Sequence, residues 1–329
     1  MKTNRRTFLA TAAMGITGAG MAAALPAYFT KQLLNTSSLK LALSQFSLAS
    51  QFWTKQLDPL DFPAKCIKSF GIPGLDYCSM FFADKAKDTV FLNELKKRST
   101  DNGCYNLRIM IDGEGVLGSL NKEERNKAIE NHYKWIDAAA IIGCPMIRVN
   151  VEGDGDPQEV AKTSAESLVK LLEYGSKSNV DVIVENHVGI SCNGAWLAGV
   201  MKNVNSKHCG TLADFGNFCI NRTKPATNDI AGYMNTKCLE EYDRYKGIEE
   251  LMPYAKGIHA KTHIFDVNGN DTETDFYKMF TIIKASGFTG WVSIEYEGGV
   301  IKMYTKDDKY LGDDAGVLAT KKLVEKAWA

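Results

Sequence analysis

Residues 180–189 read VDVIVENHVG, an apolar strand that turns polar at its end. In a strand, residues i and i+2 point to the same side. Glu185 and His187 therefore share a face above Ile183, while Val182, Val184 and Val188 take the other. A charge on a core strand is costly unless it is paired or bound to a metal. The fold reading turns on how often the chain repeats this pattern.

Seven further β-rich segments do so: LKLALSQFSL (39–48), GLDYCSMFF (74–82), YNLRIMIDG (105–113), PMIRVNVEG (145–153), GTLADFGNF (210–218), GIHAKTHIF (257–265) and GWVSIEYEG (290–298). Helical patterns separate them, at 58–71, 89–103, 121–143, 156–178, 193–209, 239–256, 274–286 and 315–328. The clearest is 121–143. Asn121 with Glu124 spells a capping box, Ile129, Tyr133, Ile136 and Ala140 form an apolar stripe, and Gly143 ends it. Strands alternating with helices predict a parallel (β/α)8 TIM barrel in a single domain. The rival, a doubly wound open sheet, would carry a Gly-rich phosphate turn after its first strand, and SQFSLASQ (44–51) has none. The irregular stretches 219–238 and 299–314 follow late strands, where a barrel places its active-site loops.

The chain has 329 residues, 45% of them hydrophobic, enough for a large core. Its 39 basic residues balance 39 acidic ones, which argues against a nucleic-acid groove. Residues 1–27 differ from the rest: a basic start with Arg5 and Arg6, a Gly/Ala-rich run, and small residues at Ala22, Ala24 and Ala27. The stretch NRRTFLA resembles twin-arginine export signals. It implies the twin-arginine machinery as a partner, a periplasmic location, a linker at 28–37 and a barrel at 38–329. A plain amphipathic helix is the alternative. The run is too short and too rich in Gly and Ala to predict a lasting membrane span.

The eight cysteines are Cys66, Cys78, Cys104, Cys144, Cys192, Cys209, Cys219 and Cys238. Their even number permits disulfides in an exported protein, but several lie in apolar patterns, and folding before export favours free thiols. No CxxC is present, so a cysteine zinc site is not expected.

In a barrel, polar residues at the C-terminal strand ends are the functional candidates. The last four strands supply Glu185, Asp214, His259 and Glu295. Each alone is unremarkable as a loop-end charge, turn residue or core histidine. Together they offer three carboxylates and one imidazole, a set suited to one divalent ion, Mn2+ first, with Mg2+, Co2+ or Zn2+ as alternatives. The i+2 rule adds His187, Lys261, His263 and Glu297, and Asn217 lies just past Asp214. Arg148 reads equally as a structural ion-pair partner or a substrate clamp. Asp112, Glu152 and Glu297 read as solvated loop-end charges. His132 reads as surface or core-flanking, and His208 as structural.

The segments DFPAKCIKSFGIPGLDY (61–77), VIVENHVG (182–189), DFGNF (214–218), YDRYKGIEELMPYAKGIHAKTH (242–263) and GWVSIEYEG (290–298) resemble the sugar phosphate isomerase/epimerase family of xylose isomerase-like barrels, within the AP endonuclease family 2 superfamily. The resemblance implies a divalent metal on Glu185, Asp214, His259 and Glu295. It also implies a carbohydrate substrate and proton transfer beside a carbonyl through a metal-stabilised enediolate. Glu185 and Glu295 would move the proton. His187 and Lys261 are further candidates for acid, base or oxyanion stabiliser. Arg148, His187, Asn217, Lys261 and His263 would contact substrate. One departure stands out: ketose epimerases continue their seventh strand into an acidic-then-arginine segment, where this chain has HAKTHIFD (259–266).

Export favours an unphosphorylated sugar or keto-sugar. A lyase or hydratase acting on a 3-keto-glycoside would need the same groups. A nuclease with a three-metal cluster fits poorly with five histidines. A non-catalytic carbohydrate-binding barrel is the non-enzymatic alternative, and a homo-oligomer is compatible with any of these readings.

Overall fold

The apolar segments become the strands of a closed barrel. The computed structural model describes residues 38–227, 232 and 235–329, with Leu39–Ala329 as one compact unit; the expected signal and linker lie outside the described residues. Eight parallel strands close in the order β1-β10-β9-β6-β5-β4-β3-β2. They are β1 (Lys40–Ser44), β2 (Gly74–Cys78), β3 (Tyr105–Met110), β4 (Met146–Val149), β5 (Asp181–Glu185), β6 (Cys209–Asp214), β9 (Ala255–Thr262) and β10 (Trp291–Tyr296). Helices follow the strands in the expected alternation, and a separate antiparallel hairpin, β7 (Cys219–Arg222) with β8 (Cys238–Glu241), leaves the barrel after β6.

Most strands end earlier than their polar tails suggest, because the polar residues take their hydrogen bonds elsewhere. After Glu185 the Asn186 amide replaces the ladder. Its Nδ2 donates to the carbonyls of Asp214 and Asn217, and its Oδ1 accepts from the Asp214 N–H. His187 therefore sits past the strand, on a loop. Helix 121–143 starts at its Asn121 cap, which accepts from the N–H groups of Glu123 and Glu124. The reciprocal half of the expected box is not made, since Glu124 accepts from Ser119 instead.

Three expectations are corrected. Residues 238–241 are not helical but pair with 219–222, and the helix expected at 239–256 begins only after Asp243, which caps the N–H groups of Tyr245 and Lys246. The stretch 219–238, expected to be irregular, contributes a strand, and 299–314 carries the helix Gly298–Thr305. Cys219 and Cys238 form a disulfide, with Cα atoms 5.7 Å apart, in a hairpin whose shifted register pairs Cys219 with Glu241 and Cys238 with Arg222. The other six cysteines are free, five of them buried, as small hydrophobes are.

The outward faces of the strands join the helices in one continuous apolar core containing Leu43, Leu75, Ile109, Ile147, Val182, Val184, Ile258 and Ile294. A small separate cluster of Cys78, Met110, Ile183 and Leu212 lies inside the barrel. Around it the inward positions include the buried polar or charged Ser44, Asp76, Arg108, Arg148, Glu185, Asp214, His259, Lys261, Ser293 and Glu295. Among the described residues no helix is long and apolar enough to cross a membrane.

Thiol titration of the denatured, unreduced protein should count six thiols, against eight after reduction. Cys219→Ser with Cys238→Ser should loosen the hairpin by up to about 3 kcal/mol, the loop-closure value for a link of this span, read as faster proteolysis at 219–241. Eight thiols without reductant would show the hairpin to be unlinked.

Candidate active site

Glu185 ends β5, Asp214 ends β6, and Glu295 lies one residue before the end of β10. His259 sits on β9, in register with Asp214 on one side and Ser293 on the other. All four are buried, and one ligand atom from each lies within 4.8 Å of the others. His259 Nδ1 is 2.9 Å from Glu185 Oε1, 3.2 Å from Glu295 Oε2 and 3.8 Å from Asp214 Oδ2.

The second oxygen of each carboxylate is tied to protein. Arg148 Nε holds Glu185 Oε2 at 2.9 Å, and Ser44 Oγ donates to Glu295 Oε1 at 2.7 Å. The N–H groups of Gly216 and Asn217 both donate to Asp214 Oδ1 at 2.8 Å. Glu185 Oε1, Glu295 Oε2, Asp214 Oδ2 and His259 Nδ1 are therefore the atoms that turn toward one centre. Asp214 Oδ2 is buried without a hydrogen-bond donor. Three hard oxygens and one imidazole nitrogen, anchored from behind, fit a divalent cation.

Electrostatics point the same way. Burial pushes the Asp214 carboxyl up to about 8, with Lys261 opposing. Burial would lower His259, but Glu295 and Glu185 raise it well above its ordinary value. Burial would raise Glu185 and Glu295, yet His259 with Arg148, and His259 with Lys261, bring them down. Without a cation the cluster balances its charge by holding protons on Asp214 and His259.

The other expected residues divide. Lys261 joins the tetrad, its Nζ lying 2.8 Å from Glu297, 3.1 Å from Glu295 and 3.5 Å from Asp214. Asn217 accepts from Lys261 at 3.3 Å. His263 bridges Glu297 at 3.3 Å and Glu273 at 3.2 Å, one step outward. Arg148 is an ion-pair partner, spent on Glu185 and on Asp112 at 2.8 Å. His187 is half-buried, with Nδ1 lacking a hydrogen-bond partner.

Asp112 and Glu297 are not the solvated charges expected. Burial would raise both, but Arg148 holds Asp112 at about 2, and Lys261 with His263 holds Glu297 at about 2. His132 is buried in its helix against the Ala128 carbonyl, and His208 pairs with Asp181 at the surface.

Sequence reasoning missed Ser44, Asp76, Arg108 and Ser293, all buried inside the barrel beneath or beside the tetrad. The signal was available, since Asp76 and Arg108 interrupt apolar strands at inward positions. It also missed an aromatic flank. Phe46 and Trp53 in the short helices after β1 and Phe81 in the 3-10 helix after β2 stand 5.9–6.4 Å apart, centroid to centroid. Phe46 and Phe81 pack on the inner apolar cluster.

Residues 67–321 match the profile of the family described as xylose isomerase-like TIM barrel. No curated protein matches the chain in sequence. Solved structures share the fold. A sugar phosphate isomerase/epimerase from Parabacteroides distasonis is 17% identical over 90% of this chain and 97% of its own, with TM-score 0.61. The D-psicose 3-epimerase of Clostridium cellulolyticum, solved with D-tagatose, is 15% identical over 88% and 99%, with TM-score 0.63. An IolI protein with a bound zinc atom is 14% identical over 88% and 98%, with TM-score 0.61.

Burial would lower His263, but hydrogen bonds and charge from Glu273 and Glu297 push it up to about 10 from 6.5. A raised folded-state value means that the protonated ring stabilises the fold fully below about pH 6.5, and that this support fades as pH rises toward 10. The melting-temperature gap between wild type and His263→Gln should be widest near pH 6.5 and narrow steadily to pH 10. A gap independent of pH would show that His263 carries no such charge.

Proposed function

The chain belongs to the xylose isomerase-like TIM-barrel family, and from that premise we propose that it is a divalent-metal-dependent isomerase or epimerase of unphosphorylated sugars or keto-sugars. The observation that carries this reading is the set of four buried ligand atoms turned to one centre, each carboxylate anchored through its other oxygen. A cation held by Glu185, Asp214, His259 and Glu295 supplies Lewis-acid stabilisation of the negative charge that develops on a carbonyl oxygen and its neighbouring hydroxyl. Mn2+ suits an oxygen-rich set with one nitrogen, and Zn2+ is the alternative the IolI neighbour brings to mind.

The chain's own groups move the proton. Glu185 and Glu295 reach the centre from β5 and β10, with β6 and β9 between them, so they flank a substrate on two sides. One removes the proton from the carbon beside the carbonyl, and the other returns it on the opposite face. Lys261, a buried cation 3.1 Å from Glu295, lowers the cost of a developing oxyanion and is the reserve acid. His187 and Asn217 border the mouth and position hydroxyls.

The substrate class follows from charge. The two cations touching the tetrad, Arg148 and Lys261, are each neutralised by carboxylates, leaving neither free for a phosphate. The Phe46–Phe81 flank offers an apolar surface to the ring or carbon chain of a sugar. Export through residues 1–27 fits an unphosphorylated substrate, and the Cys219–Cys238 link fits an oxidising compartment.

The test is incubation with Mn2+ in D2O against a panel of free sugars, 3-keto-glycosides and sugar phosphates. Deuterium should enter one carbon of an unphosphorylated member. Glu185→Gln and Glu295→Gln should each slow that exchange by about 10²-fold or more while the fold is kept. Exchange followed by loss of the aglycone would make the protein a lyase. Exchange confined to sugar phosphates, or rates in both variants within a few-fold of wild type, would overturn the assignment.

A further inference from the structure

Beneath the tetrad lies an ion pair that the proton transfer does not use. Asp76 on β2 and Arg108 on β3 are cross-strand neighbours, with Arg108 Nε 2.9 Å from Asp76 Oδ1 and neither side chain more than 1% exposed. The guanidinium fits because residue 257 is glycine; a Cβ there would lie 2.3 Å from Arg108 Nη1. The other oxygen, Asp76 Oδ2, accepts from Ser293 Oγ at 2.5 Å and faces His259 Nε2 at 3.5 Å. That imidazole nitrogen is buried and makes no hydrogen bond, and Asp76 is the carboxylate that faces it.

His259 thus turns Nδ1 to three carboxylates and Nε2 to a fourth. A histidine that ligates a cation keeps its lone pair on one nitrogen and its proton on the other. A carboxylate behind the ring selects that tautomer and sets the ring plane. Arg108 occupies one oxygen of Asp76, and Ser293 fixes the direction of the other, the one that faces His259.

We infer that Asp76, braced by Arg108 and Ser293, is a positioning residue that aims His259 at the ion of the tetrad; this rests on the metal reading proposed above. A core ion pair of purely structural value behaves differently. Replacing both of its partners with apolar groups is often neutral, whereas losing a carboxylate behind a metal-binding histidine weakens the site about 10–100-fold.

The experiment is calorimetric titration of metal-stripped full-length protein with MnCl2 and ZnCl2, alongside Co2+ absorption spectra. Variants are Asp76→Leu with Arg108→Met, which removes both charges, and Asp76→Asn with Arg108→Met, which restores an acceptor. The Leu pair should keep its melting temperature within a few degrees, bind metal at least about tenfold more weakly and shift the Co2+ bands. The Asn pair should recover part of the affinity. Wild-type affinity and an unchanged Co2+ spectrum in the Leu pair would overturn the inference while leaving the metal reading intact. If wild type takes up no Mn2+, Zn2+ or Co2+, the metal reading falls and this inference with it. If the Leu pair does not fold, Ser293→Ala decides: weaker binding at an unchanged melting temperature supports the role, and equal binding overturns it.

Discussion

Charge balance inside the barrel is the constraint on which the rest of the structure depends. Four carboxylates, Asp76, Glu185, Asp214 and Glu295, are buried there with three cations, Arg108, Arg148 and Lys261. A buried ion without a partner costs several kcal/mol, comparable to much of the roughly 5–15 kcal/mol that holds a domain together. The pairings follow from that cost. Arg108 takes Asp76, Arg148 takes Glu185, and Lys261 sits nearest Glu295 among the buried acids. Asp214 is left with two backbone N–H groups on one oxygen, a share of Lys261 at 3.5 Å, and no hydrogen-bond donor on the other oxygen. Partnering is weakest at that carboxylate, and a cation at the centre of the tetrad would take the place of the proton that burial favours there.

The fold can carry so polar an interior because its stability is made elsewhere. The outward faces of the strands bury their Val, Ile and Leu side chains in one layer against the helices, while the apolar cluster inside the barrel has only four members. A parallel strand buried on both faces normally reads as continuously apolar. Here one face is given over to chemistry, and packing compensates locally, as at Gly257, whose missing side chain makes room for the Arg108 guanidinium. The hairpin after β6 is stapled by its own disulfide, beyond the reach of the barrel ladder.

Strand alternation made much of this legible. The parity that puts Glu185 above Ile183 also places Asp214, His259 and Glu295 inward, and the structure gathers those four within 4.8 Å. The same parity applied to GLDYC and YNLRIMI would have found Asp76 and Arg108. Both lie deeper than the strand ends, where a barrel's functional candidates are expected. His187 was misplaced for a different reason: Asn186 ends β5 with a side-chain bond that no periodicity announces. The β7–β8 pairing was hidden because CINR and CLEE carry no apolar alternation, and it combines a short backbone ladder with the Cys219–Cys238 link. Asp112 and Glu297 were misjudged because burial of a loop-end acid depends on which cation reaches it from another strand.

The segment HAKTHIFD, where the chain departs from the ketose-epimerase pattern, has a structural consequence that bears on specificity. Lys261 and His263 extend the tetrad outward through alternating charges, Lys261 to Glu297, Glu297 to His263, and His263 to the solvent-facing Glu273. Each positive group in that line already has an acid beside it. A mouth built this way exerts little net pull on an anionic substrate, since neutralised cations present only short-range dipoles to an approaching charge. On the function proposed above, selection would come from contact, with hydroxyls against Asn217 and His187 and the apolar side of the sugar against Phe46 and Phe81. Discrimination of that kind would depend on the shape of a neutral carbohydrate and would favour a free or keto-sugar over its phosphate.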